Sequence, residues 1–496
     1  MLAGNAVWNL IGTCSPFLVA LVCLPILKRG LGTERLGLIS LAWAIVGYFG
    51  LFDLGLSRAL TKLVAENLGR DRADAVPSLV WTSLGLMVGL GFAGLVAALA
   101  LSHTFVTGLL RVSPNLQHEA LLSFYWLSFS IPFVVITAGL RGILEALQRF
   151  RLATLIRVPM GIFTYLGPVM VLPFSHNLVP VMAVLVIGRI AASAAHLWAC
   201  FHALPELRRV ISFQRASVGP LVRFGGWMTV SNIVGPFMVS FDRFLIGSMF
   251  SASAVAYYAV PYELVARLGL LPGALVGVLF PAFSTALESD RNRFLLLYEC
   301  GIKYIFIALF PLTLLLVAFA PEGLRLWLGE DFAHNSARVV QLLATGVFIN
   351  SVGQIPFAHI QGGGRPDITA KLHMLELPLY LGLLVYFATK MGITGVAIAW
   401  LLRVTLDSAV LFLVSWRILP QNRFVVLKFP LLMIGAVSAF AYSGLPAATN
   451  QRFAFSVVVC ILGTYAVWRW LISSREKSAI SSSLRVSAPA WARRRR

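Results

Sequence analysis

Apolar residues run along this chain in long blocks, not in the alternation of a strand or the single stripe of a soluble helix. A window of about 19 residues selects Asn5–Leu27, Leu36–Ser57, Leu79–Leu101, Leu121–Leu147, Val158–Phe174, Pro180–Leu204, Phe224–Phe250, Ala254–Phe283, Ile302–Ala320, Val339–Ile360, Leu372–Thr389, Ile393–Trp416, Val425–Leu445 and Phe453–Ser473. Each is close to the roughly 20 residues that an α-helix needs to cross a bilayer core. Only helices or closed barrels satisfy their backbone in lipid. The pattern therefore predicts an all-α integral membrane protein with about 14 transmembrane helices. The connections are short, and the longest outer ones, Ser102–Ala120 and Pro321–Arg338, leave no room for a catalytic domain.

The polar positions between the blocks set orientation. Connections that follow even-numbered helices, together with the tail, carry 27 Lys and Arg; the alternate set carries 8. The positive-inside rule then places both termini in the cytoplasm. Two phrases recur at a similar spacing. NLIGTCSPFLV (Asn9–Val19) is echoed by NIVGPFMV (Asn232–Val239), and LEALQR (Leu144–Arg149) by IQGGGR (Ile360–Arg365). These echoes predict an N-terminal six-helix lobe over 1–223 and a C-terminal one over 224–420. Two added helices would follow over 421–473, then a disordered basic cytoplasmic tail over 474–496. Six is even, so the lobes share an orientation and are related by a pseudo-two-fold axis along the membrane normal, which leaves a central cleft.

Composition agrees with the pattern. Of 496 residues 58% are hydrophobic and 12% charged, with a mean hydropathy of +0.84, which excludes a soluble globular protein. The excess of 40 basic over 20 acidic residues lies at the ends of apolar blocks, where it reads as topology and not as a nucleic-acid surface. The five cysteines lie in or beside apolar segments without CxxC spacing, so neither a disulfide nor a metal site is expected of them. No cleavable signal peptide is expected, because Met1–Asn5 lacks a basic residue and leads straight into an apolar segment.

Charge within the blocks is the informative chemistry. Arg189, Asp242, Arg243, Glu263, Arg267, Glu376, Arg403 and Asp407 all lie inside predicted spans. Four arginines at mid-span cost roughly 10 to 14 kcal/mol on insertion scales before pairing relieves them. Glu263 with Arg267, and Arg403 with Asp407, are four apart and share a helix face, so they can pair. Asp242 and Arg243 are adjacent and diverge by about 100°, so each needs another partner. Either these residues are structural pairs, or the arginines line a wet interior and receive an anion.

A second set, Asp53, Arg58 and Lys62 in FDLGLSRALTKLVAE, lies at the cytoplasmic end of the second helix, with Arg141 and Glu145 at the corresponding end of the fourth. These are juxtamembrane anchors or a portal for a phosphate of the inner leaflet. The triple glycine in QGGGRPD (Gln361–Asp367) is not a nucleotide loop, since no strand precedes it and no GKS or GKT follows; it reads as a turn. Prolines at or near helix positions 16, 132, 168, 236, 261, 272, 311 and 356 are tolerated kinks or bending points. His103, His118, His176 and His334 are scattered over outer ends and loops, and no metal is assigned to them.

Several phrases carry a family resemblance: DLGLSRALTKLVAE (Asp53–Glu66), LRGILEALQRF (Leu140–Phe150), DRFLIG (Asp242–Gly247), YYAVPYELVARL (Tyr257–Leu268), LFPAFS (Leu279–Ser284) and QGGGRPDITAK (Gln361–Lys371). Over about Asn5–Trp416 the chain resembles the bacterial polysaccharide-biosynthesis flippases of the Wzx type. These belong to the multidrug/oligosaccharidyl-lipid/polysaccharide exporter superfamily. The resemblance implies a multi-pass protein of the bacterial inner membrane that moves an undecaprenyl-diphosphate-linked oligosaccharide, for O-antigen, capsule or exopolysaccharide, from inner to outer leaflet. It implies no enzyme activity and no cofactor; proton or sodium antiport stays open. The implied partners are the lipid-linked glycan, membrane lipid, and a polymerase and glycosyltransferases of the same pathway, with no nucleic acid. Carried over, a cationic central cavity would use Arg189, Arg243, Arg267 and Arg403. Asp242, Glu263, Glu376 and Asp407 would be counter-charges or ion-coupling groups, and Asp53, Arg58, Lys62 and Arg141 a cytoplasmic portal. Two other cargoes suit the same architecture: cationic drugs in a cation-coupled exporter, and lipid II.

Overall fold

The computed structural model describes residues 2–49, 53–70, 72–208, 211–216, 218–219, 221, 241–276, 279, 283, 291–418, 429–445 and 448–466. Helix dominates, and no strand occurs among the described residues. In chain order the principal helices are α1 (Leu2–Leu31), α2 (Thr33–Phe49), α3 (Leu56–Gly69), α4 (Val76–His103), α5 (Pro114–Ser128), α6 (Ser130–Ala146), α7 (Phe150–Val171) and α8 (Leu178–Ala203). After α9 (241–249) come α10 (Ala252–Ala266), α11 (Arg291–Ala318), α12 (Ala320–Leu328), α13 (Glu330–Gly362), α14 (Pro366–Ile418), α15 (Phe429–Ser443) and α16 (Thr449–Ala466).

Among the described residues each apolar block is mostly helix. The seventh is described only from residue 241, so Asn232–Val239 and Pro236 lie outside the described residues, as do the basic tail, the first residues of the thirteenth block and the end of the fourteenth. The eleventh and twelfth blocks are the two limbs of α14, which break at Gly392 (φ 61°, ψ −144°). The fourth block is two helices, α5 and α6, meeting at Phe129. Pro132 lies in the first turn of α6, where its missing N–H costs nothing.

One expected boundary is wrong. The second span was expected at Leu36–Ser57, but Asp53, Leu54 and Gly55 lie outside any α-helix and Ser57 already belongs to α3. Asp53 ends the run: its carboxylate accepts from the backbone N–H of Gly55 at 2.8 Å and of Ser57 at 3.3 Å, and from the Ser57 hydroxyl. The expected span takes in only Leu56 and Ser57 of α3 and misses the rest of that helix because α3 is amphipathic. It buries Leu56, Ala59, Leu60 and Val64 while Arg58 and Lys62 stand exposed.

The described helices fall into two compact units. In the first, Met1–Val260 with Ala388–Val396, α6 packs on α3, α4 and α8, while α7 lies between α1 and α8. Small residues allow these approaches, as is usual where lipid gives no hydrophobic drive between helices. At Gly37 of α2 an added Cβ would collide with the Ala252 carbonyl oxygen at the start of α10. In the second unit, Pro261–Phe387 with Ala397–Arg496, α13 packs on α11 and α12, and α15 and α16 pack on α11. Most of α13 is buried, which makes it the central helix of that unit.

The LEALQR and IQGGGR echo has a structural counterpart. The N–H of Arg149 bonds to the carbonyl of Leu144 (2.8 Å), and that of Arg365 to Ile360 (3.1 Å); Leu147 bonds to Ile143 (2.9 Å), and Gly363 to His359 (2.8 Å). Both are left-handed helix ends, with Gln148 at φ 58° and Gly364 at φ 75°. The same turn thus closes α6 and α13 at matching positions of the two phrases.

Candidate functional site

The intramembrane charges divide between the units. In the first, Arg189 lies near the middle of α8, which starts where the Asn177 side chain accepts from the Val179 N–H (2.8 Å). Arg189 is half-buried and makes no ion pair or hydrogen bond among the described residues. An unpaired guanidinium inside an apolar span is expensive, and nothing in its own helix offsets it.

Asp242 and Arg243 stand in α9. Asp242 is almost fully buried and accepts from the Tyr258 hydroxyl of α10 at 2.6 Å and from the Arg243 N–H at 2.8 Å. The Tyr258 hydroxyl is thus one partner that the neighbouring helix supplies to Asp242. Arg243 is also buried.

Of the portal set, Asp53 spends its carboxylate on its own turn. Arg58 and Lys62 lie on the exposed face of α3, and Lys62 pairs with Glu66 at 3.5 Å. Arg141 is exposed near the end of α6 and pairs with Glu145 at 3.3 Å. Thr61 and Ser57 of α3 press against Gly142, so Arg58, Lys62 and Arg141 come from two helices in direct contact.

In the second unit Glu263 and Arg267 pair as their spacing predicts, at 3.5 Å. Arg403 and Asp407 do not. Asp407 turns to His373 Nε2 at 3.8 Å, and the Arg403 guanidinium lies over the Tyr380 ring, 5.3 Å from its centroid. The reason is cross-helix competition, because the other limb of α14 offers both an imidazole and an aromatic face. Glu376 joins the group: one ligand atom each from His373, Glu376 and Asp407 lie within 4.8 Å of one another. Glu376 and Asp407 are each 8% exposed, and neither Glu376 oxygen nor Asp407 Oδ1 has a hydrogen-bond partner.

Sequence reasoning missed His373. The expectation of no metal rests on four scattered histidines and does not weigh this one. Its signal was present in HMLE, where His373 and Glu376 are three apart and share a helix face. Missing was the pairing of two helices that brings Asp407 to them.

Long apolar helices, arginine without a counter-ion inside a span, and carboxylates buried among helices define a multi-pass membrane protein whose interior handles charge. The chain belongs to the polysaccharide biosynthesis protein family, whose profile matches residues 2–287. It is 32% identical over 408 residues to a "Putative O-antigen transporter" of Shigella flexneri, covering 82% of this chain and 96% of that protein. It is 24% identical to the "Lipopolysaccharide biosynthesis protein WzxC" of Escherichia coli K12, over 80% and 77% of the two chains. In fold it resembles a structure described as "Lipid II flippase MurJ, inward closed conformation", with a TM-score of 0.73 at 13% identity over 94% and 100% of the chains. It also resembles an inward-facing multidrug resistance MATE family transporter of the MOP superfamily, with a TM-score of 0.68 at 17% identity over 82% and 97%.

Proposed function

We propose that this chain is a flippase, not an enzyme, that carries an undecaprenyl-diphosphate-linked oligosaccharide from the inner to the outer leaflet of the bacterial inner membrane. The observation that carries the reading is its kinship, over nearly the whole length of that protein, with the Shigella flexneri "Putative O-antigen transporter". The glycan would be the repeat unit of an O-antigen, capsule or exopolysaccharide, handed on to a polymerase after glycosyltransferases have built it.

The physics supports this cargo. Glycan hydroxyls cannot cross hydrocarbon unsolvated, so they need a polar path, while the lipid tail can stay in the bilayer. Arg189, which makes no ion pair or hydrogen bond among the described residues, is the residue we assign first to the diphosphate. Arg243, Arg267 and Arg403 are assigned to further anion and glycan contacts, Asp242, Glu263, Glu376 and Asp407 to counter-charge or coupling, and Arg58, Lys62 and Arg141 to entry from the inner leaflet. Two six-helix halves working by alternating access, with both termini in the cytoplasm, complete the proposal. The recurrent turn at Arg149 and Arg365 and the asymmetry of basic residues support that arrangement. A membrane that is negative inside assists the export of an anion by about 2.3 kcal/mol per charge per 100 mV, and exchange against protons or sodium ions would drive the return.

The test is the pool of lipid-linked oligosaccharide in a deletion strain. The pool is expected to rise, and to return to normal with the wild-type gene but not with Arg189→Ala. A pool unchanged by the deletion contradicts the proposal, and the mass of the accumulated species names the glycan.

A further inference from the structure

Two buried carboxylates and an imidazole meet between the limbs of α14, and the flippase reading gives them no fixed partner. His373 and Glu376 come from the limb before Gly392, and Asp407 from the limb after it. His373 Nε2 is 3.8 Å from Asp407 Oδ1, and all three ligand atoms lie within 4.8 Å. Phe357 of α13 stacks on the His373 ring with centroids 6.1 Å apart, which limits how the imidazole can turn. Glu376 and Asp407 are both buried residues, and three of their carboxylate oxygens are shielded from solvent and lack any hydrogen-bond donor. The nearby Arg403 acts on them through space but makes no hydrogen bond to either, since it lies over Tyr380 with its Nε unpartnered.

Burying a carboxylate costs several kcal/mol; this group holds two, and His373, 3.8 Å from Asp407, is the one residue within ion-pair distance of either among the described residues. We propose that His373, Glu376 and Asp407 form a binding site for one divalent first-row metal ion of the zinc and manganese class. A divalent ion neutralises both carboxylates and leaves the imidazole neutral, the form in which it ligates. The imidazole selects within the cations: calcium and magnesium take oxygen ligands, whereas a mixed nitrogen and oxygen set suits zinc or manganese. Metal–ligand bonds of about 2.0–2.2 Å keep any two ligands within roughly 4.4 Å. The 3.8 Å pair already fits, and the widest separation closes by a few tenths of an ångström. Since the ligands come from both limbs, the ion would clamp the α14 hairpin along its length, far from the break at Gly392.

The test uses the full chain, purified in detergent, stripped with a chelator, reloaded separately with Zn2+, Mn2+ or Co2+ and desalted. Bound metal is measured by mass spectrometry and, for Co2+, by its visible absorption. Wild type is expected to retain about one ion per chain and to melt at a higher temperature when loaded. His373→Ala, Glu376→Gln and Asp407→Asn are each expected to lose the ion. Glu376→Gln is also expected to melt above the metal-free wild type, because it removes a buried carboxylate that has no hydrogen-bond donor. Rising apo stability with lost metal separates a ligand from a residue that merely holds the fold. Retention of no metal by wild type, equal retention by Glu376→Gln, or a response to sodium or protons alone each overturns the proposal. None of these outcomes depends on transport.

Discussion

Arg189 is the residue on which the functional account leans most. Its position inside an apolar block was visible in the sequence; that no described residue pairs with it was not, because partners come from other helices. A guanidinium contact to phosphate is worth roughly 1.5–3 kcal/mol as a charge-assisted hydrogen bond. Arg189→Ala is therefore expected to lower export about tenfold or more at normal protein level, with Arg189→Lys in between; export assays with quantified membrane protein check this. Gln148 makes a separate case. It holds φ 58° where its counterpart is Gly364 at φ 75°, and a side chain there costs roughly 1 kcal/mol. Gln148→Gly is expected to raise thermal stability by up to that amount, and Gly364→Ala to lower it. Melting both variants in detergent decides, and a fall for Gln148→Gly would contradict the turn.

Elements were largely legible because a membrane allows only long apolar helices to span it, so block length alone locates them. The errors fall where that signal is diluted. The amphipathic α3 was read as a connection, apart from its first two residues, because its polar face keeps its mean hydropathy low, and the short α12 was left inside an outer loop. The Arg403–Asp407 pair failed for a different reason: i, i+4 spacing says which residues can meet on one helix, not which competitor an adjacent helix presents. His373 was that competitor. Close approach is another property that sequence does not show. Any side chain at Gly37 drives into the backbone of α10, so Gly37→Val is expected to cost about 1–3 kcal/mol by overpacking. A melting temperature equal to wild type would contradict that contact.

The whole molecule was legible as a class, because apolar blocks of spanning length, positive-inside asymmetry and a two-fold echo agree with one another. The cargo was not legible from physics; it entered through resemblance and kinship, since a polar path and arginines suit many anions. In the second unit, α16 is tied down by charge as well as packing. Arg452 pairs with Glu322 of α12 at 2.9 Å and donates to the Ala318 carbonyl at 3.0 Å, and Thr449 reaches Glu322 at 3.2 Å. Arg452→Ala should lower thermal stability by about 2 kcal/mol, and an unchanged melt would mean that packing alone holds α16. The central claim, movement of a lipid-linked glycan between leaflets, is tested most directly with purified protein in liposomes containing an undecaprenyl-diphosphate oligosaccharide, treated from outside with a glycosidase that cannot cross the membrane. The account predicts that wild type brings the inner-leaflet glycan within reach, so that the whole pool is cleaved, while protein-free and Arg189→Ala liposomes lose only the outer-leaflet share. Cleavage by wild-type liposomes that stops at the outer-leaflet share would contradict it.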